Sequence, residues 1–79
     1  MQIQFSRHLI QKLEFSRRNI TGNMVLETIE YYDLIKPAGS ANRLLYLKYY
    51  EKLDKFLLVV VENNMCAITA YLISKGRVL

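Results

Sequence analysis

A single cysteine, Cys66, excludes an internal disulfide framework and a cysteine-based zinc site. One histidine and scattered carboxylates lack the ligand density that zinc or magnesium requires, so neither metal nor cofactor is expected. The three glycines stand apart, which excludes a glycine-rich phosphate loop. Nothing constrains Asp33 or Asp54 near His8, so no Ser-His-Asp triad can be argued. The longest apolar run, Phe56 to Val61, is six residues, against the roughly 20 that span a bilayer. Polar and apolar residues alternate from the start, with no apolar signal core. Repeats and low-complexity segments are absent. These absences predict a cytoplasmic chain with no membrane partner, folded as one domain over residues 1–79.

What is present is concentrated in Phe56 to Ile73, two apolar stretches joined by Asn63-Asn64. A two-residue hairpin loop needs positive φ at both central positions, and asparagine tolerates it. The expected pairing is then Val61–Cys66, Val60–Ala67, Val59–Ile68, Leu58–Thr69, Leu57–Ala70 and Phe56–Tyr71. Alternation puts Leu57, Val59, Val61, Cys66, Ile68 and Ala70 on one wholly apolar face that must be covered. On that face Cys66 reads as a buried, inert thiol. Thr69 and Tyr71 point together from the other face.

Upstream, Gln2 to Phe5 alternates as a short strand. Ser6 then caps a helix from Arg7 to Arg18, with Leu9, Ile10 and Leu13 as its apolar stripe. Thr21 caps a second helix over Gly22 to Tyr32, with Ile20 stapled on Val25 and with Val25, Ile29 and Tyr32 inward. Lys36-Pro37-Ala38-Gly39-Ser40 is a loop. Arg43 to Tyr50 reads as a strand, although a helix through residues 43–55 competes with it because Leu, Lys and Glu are good helix formers. A lone hairpin is barely stable and needs neighbours, which favours the strand. The order is β-α-α-β-β-β. It predicts an α+β domain with two helices packed on one face of an antiparallel sheet.

Net charge is +4, unevenly placed. Arg7, Lys12, Arg17 and Arg18 stand against Glu14 in residues 1–20, a local +3. Glu27, Glu30 and Asp33 against Lys36 make residues 21–36 a local −2. Such asymmetry gives a nucleic-acid binder one attractive face, while +4 alone is also an ordinary solubility setting.

The ordered set His8, Arg18-Asn19-Ile20-Thr21, Arg43, Val59-Val60-Val61 and Ile68-Thr69-Ala70-Tyr71 resembles the small RelE-like proteins of the barnase–EndoU–colicin–RelE ribonuclease group. The match spans residues 5 to 72 in order and spacing; Asn42 stands before Arg43 where a glycine is common, and no extra strand follows Tyr71. The resemblance implies a toxin-like domain that cleaves RNA without metal and is held in check by an antitoxin-like protein partner. In that role His8 is the general acid or base, because histidine alone among side chains ordinarily changes charge near neutrality. Arg18 and Arg43 hold the scissile phosphate through forked donors. Thr69 and Tyr71 donate to phosphate oxygens or position the 2′-OH.

Each residue also has a plainer reading. His8 and Arg18 can cap helix ends, Arg43 can be a strand-edge charge, and Thr69 suits a strand by propensity. Tyr71 can simply pair with Phe56. The competing function is therefore a non-catalytic protein-interaction module on the same sheet, for which Tyr46, Tyr49, Tyr50 and Tyr71 suit an interface as well as they suit base stacking.

Overall fold

The computed structural model describes residues 3–15, 20–39 and 42–78. The elements are β1 (Gln4–Phe5), α1 (Arg7–Phe15), α2 (Gly22–Glu30), β2 (Leu34–Pro37), β3 (Arg43–Tyr50), β4 (Lys55–Glu62), β5 (Cys66–Ser74) and a 3-10 turn (Lys75–Arg77). They form one sheet in the order β1-β5-β4-β3-β2 with the helices on one side, an α+β architecture. Among the described residues no helix is long and apolar enough to cross a membrane.

Both helix starts follow from their caps. The Leu9 N–H donates to Ser6 Oγ (3.0 Å), and the Met24 N–H donates to Thr21 Oγ1 (3.2 Å). These bonds satisfy amides that an open helix end leaves orphaned. Ile20 and Val25 are both buried, as the staple requires. The second helix stops at Glu30, short of the expected Tyr32, which lies exposed and edge-on to Tyr46. Ile10, read as part of the inward stripe of α1, is 44% exposed.

The sheet departs from the expected antiparallel arrangement in two ways. First, β1 runs parallel to β5, pairing Gln4 with Cys66 and Phe5 with Ala67, so the sheet is mixed. Second, a further strand, β2, forms over Leu34–Pro37 and takes Lys36 and Pro37 from the expected Lys36–Ser40 loop. Asp33 starts it by accepting the Tyr49 N–H on Oδ2 (2.8 Å), and Leu34 to Pro37 then pair with Leu47 to Leu44. Pro37 fits because Ala38 N–H bonds Arg43 C=O (3.3 Å). Alternation then turns the nitrogen of Pro37 away from β3, where no ladder donor is needed.

The Asn63-Asn64 turn forms as its residues dictate, with φ of 56° and 57° and Met65 N–H closing onto Glu62 C=O (3.1 Å). The register beyond it differs from expectation. Glu62 pairs with Cys66 and Val61 with Ala67, but Val60 pairs with Thr69, leaving Ile68 as a bulge. Val59 then faces Ala70, Leu58 faces Tyr71, and Leu57 faces Leu72. The first slip is local, because Met65 stays in the loop between the paired Glu62 and Cys66, and it turns Ala67 inward; the second, at Ile68, is held from afar. Ser6 donates its N–H to Ala67 C=O (2.9 Å) and its Oγ–H to Ile68 C=O (2.9 Å), fixing the bulged backbone from the other end of the chain.

The helix-side core is Leu9, Ile20, Val25, Leu57, Val59, Val61, Ala67 and Ala70. Ala67 replaces Ile68 in it, and Cys66 turns to the opposite face, where it is half-buried. Thr69 and Tyr71 keep the expected face. That face has a core of its own, Leu47 and Leu58 under Val78.

The turn offers a direct test. An alanine at a left-handed position costs about 1–2 kcal/mol, whereas glycine adopts it freely. Asn64→Ala should therefore lower the stability measured by urea unfolding by about 1 kcal/mol, and Asn64→Gly should leave it unchanged or higher.

Candidate functional site

Ser6 organises the site before any candidate residue enters it. Its hydroxyl accepts from Leu9 N–H and donates to Ile68 C=O, so the start of α1 is tied to the bulge of β5. Among the described residues β1 pairs with β5 at Cys66 and Ala67, and α1 also packs against β5. His8 lies exposed in the first turn of this helix. Lys12 follows four residues later, on the same side of the helix about 6 Å further along its axis. Its ammonium reaches the flank of β5 and sits 5.4 Å from the centroid of the Tyr71 ring. Tyr71 is 38% exposed, and Thr69 lies two residues earlier on the same face.

The structure thus brings Lys12, Thr69 and Tyr71 together, with His8 one turn away on the same helix side. Arg43 stands apart. It opens β3, two strands from β5, or about 10 Å across the sheet. Its Nε donates to Glu62 Oε2 at 3.0 Å, an exposed ion pair worth at most about 1 kcal/mol. Arg18 lies outside the described residues. Of the sequence-derived set, Lys12 was missed, although its i, i+4 spacing from His8 is visible in the chain.

The arrangement combines an aromatic face, a cation above it and a hydroxyl beside it. A cation over a tyrosine ring is attracted by the ring quadrupole. A base that stacks on that face takes the place of the ammonium and leaves it beside the ring, where it can meet a phosphate. It is an open flank. The cavities of about 540, 370 and 480 Å³ lie elsewhere, and neither His8, Thr69 nor Tyr71 lines them.

The remaining polar clusters are structural. Thr28 Oγ1 and the Tyr50 hydroxyl lie 3.1 Å apart and 2.8 and 3.0 Å from Met24 C=O, so their two protons serve that carbonyl and the contact between them. This network satisfies the fully buried Thr28, and burial pushes the Tyr50 phenol up from its ordinary value. At the far end of the sheet Tyr49 hydrogen-bonds Asp54, and Lys75 Nζ lies 3.2 Å from the same carboxylate. The Tyr49 phenol, and then Lys75, hold Asp54 below the usual carboxylate range. All three are at the surface, so their electrostatic contribution is screened. Among the described residues no group of three or more His, Cys, Asp or Glu gathers in a metal-binding arrangement.

Comparison with known proteins adds no relative to this geometry: no family model, curated protein or solved structure matches the chain.

Proposed function

We propose that the flank formed by β5 and α1 binds single-stranded RNA, and that the domain acts as a RelE-like, toxin-type ribonuclease with His8 as its general acid or base. The observation that carries the reading is the Lys12 ammonium held over Tyr71, on the side of α1 that also bears His8. A base stacks on Tyr71, Lys12 meets the adjacent phosphate, and the Thr69 hydroxyl donates to a phosphate oxygen. As the 2′-oxygen bonds to phosphorus and the P–O5′ bond breaks, His8 either takes the 2′-OH proton as general base or gives a proton to the departing 5′-oxygen as general acid. Because Arg43 is distant and already paired to Glu62, it serves the RNA backbone beyond the reacting phosphate. An antitoxin-like partner and a cytoplasmic location belong to the same proposal.

The test is RNA binding across a salt series. Neutralising phosphates releases counterions, with a slope of about −0.7 per contact for single strands. Lys12→Gln should weaken binding and flatten the slope by about 0.7. Tyr71→Ala should weaken it about 5- to 150-fold without changing the slope, since one stacked base is worth about 1–3 kcal/mol. No RNA binding at low salt would overturn the proposal and leave the non-catalytic interaction module. For that reading the specific support is the exposed run Tyr31, Tyr32, Leu34 and Ile35 beside the β2 edge.

A further inference from the structure

The sheet face opposite the helices is nearly as apolar as the one they cover. Leu45 and Leu47 of β3, Phe56, Leu58 and Val60 of β4 and Ile73 of β5 lie on it in adjacent rows. Leu47 and Leu58 are nevertheless only 2% and 6% exposed. Val78, itself 4% exposed, covers them at the end of the segment that follows β5.

What holds this segment down is slight. The Lys36 ammonium donates to Val78 C=O at 2.7 Å. Lys75 pairs with Asp54 through side chains that are 58% and 71% exposed. The turn has one internal cap, Val78 N–H to Lys75 C=O (3.2 Å), and a Cβ added at Gly76 would meet nothing within 4 Å. Among the described residues, one buried valine, one hydrogen bond from Lys36, and an exposed Lys75 that pairs with Asp54 and lies over the Tyr49 ring (5.4 Å) secure it. The sheet beneath is held by full ladders on both sides of β4 and by the helix-side core. Segments of such unequal anchoring open at different free energies.

We propose that Lys75 to Val78 form a strap that opens locally while the sheet and helices stay folded, baring the apolar face over β3 and β4. Lys36 is its latch, reaching from β2 on the far side of that face. Leu58 is the cross-strand neighbour of Tyr71, so the closed strap ends the open flank beside Tyr71 and confines a ligand to β5. The open strap lengthens that surface across two more strands. The inference goes beyond RNA recognition and holds whether or not RNA is bound.

Two adjacent thiols read the strap against global unfolding. In a Cys66→Ser background, Leu58→Cys places a thiol under the strap, and Val59→Cys places one in the helix-side core. The expected result is labelling of the Leu58→Cys thiol by an aromatic disulfide reagent at least about tenfold faster than that of Val59→Cys, with a weaker urea dependence. Lys36→Met should speed the first about five- to tenfold and leave the second unchanged, the effect of losing one hydrogen bond. Equal rates with equal urea dependence would overturn the strap. If either thiol variant fails to fold, amide exchange in the unaltered chain decides: Val78 N–H should exchange far faster than Val59 N–H, and protection of Val78 equal to that of Val59 would overturn the proposal.

Discussion

Leu57→Ala will cost about 2–5 kcal/mol of folding stability, because the cavity it opens cannot close. Leu57 is fully buried in β4, the middle strand of the sheet. Its side chain belongs to the cluster that joins Leu9 of α1 and Val25 of α2 to Val59 and Ala70. Collapse into the vacancy would require moving a helix or a central strand, each pinned by other contacts. A domain of this length has only about 4–12 kcal/mol in total, and each kcal/mol shifts the midpoint of a small domain by about 4–8 °C. The variant should therefore melt at least about 10 °C lower and sit close to unfolded at 37 °C. Leu58→Ala is the control. It removes the same atoms from the opposite face, under the strap alone, and should cost about half as much. A larger loss at Leu58 than at Leu57 would show that the main core is not on the helix side.

His8→Ala carries the largest expected effect on activity. If the proposed chemistry holds, cleavage in EDTA should fall about 10²–10⁴-fold, the usual contribution of one general acid–base group. RNA affinity should stay within about threefold, since Lys12 and Tyr71 remain. The melting temperature should hardly move, because an exposed side chain in the first helical turn leaves no cavity and Ser6 supplies the cap. The products should carry 2′,3′-cyclic phosphates. Full activity in the variant would remove His8 from the mechanism, and a metal requirement would sink the mechanism whole.

Features decided by a few neighbouring residues were legible in the chain. The caps at Ser6 and Thr21 and the left-handed pair Asn63-Asn64 depend on local chemistry alone and are present, while the strand from Arg43 to Tyr50 followed from the need of the apolar hairpin for a neighbour. The register of the hairpin was not legible, because the loop takes in Met65 and because Ile68 is bulged where Ser6, 62 residues away, bonds it. No turn rule contains that partner. Likewise β2 depends on the Asp33 carboxylate reaching Tyr49, and the second small core depends on Val78 folding back to Leu47. The site divides along the same line. Thr69 and Tyr71 sharing a face followed from alternation, whereas Lys12 over Tyr71 needed the placement of α1 beside β5.

The hydrogen bonds of Ser6 also set an order of events during synthesis. Gln4 and Phe5 have no partner until Cys66 and Ala67 leave the ribosome, 62 residues later. At about 5–20 residues per second the wait is about 3–12 s. Through that interval α1 has its cap but no strand to lie against. The first strand to be made is the last to be placed, and the groups that secure it are the ones that fix the register of β5. The two bonds from Ser6 thus join the earliest-made strand to the bulge of the latest-made one.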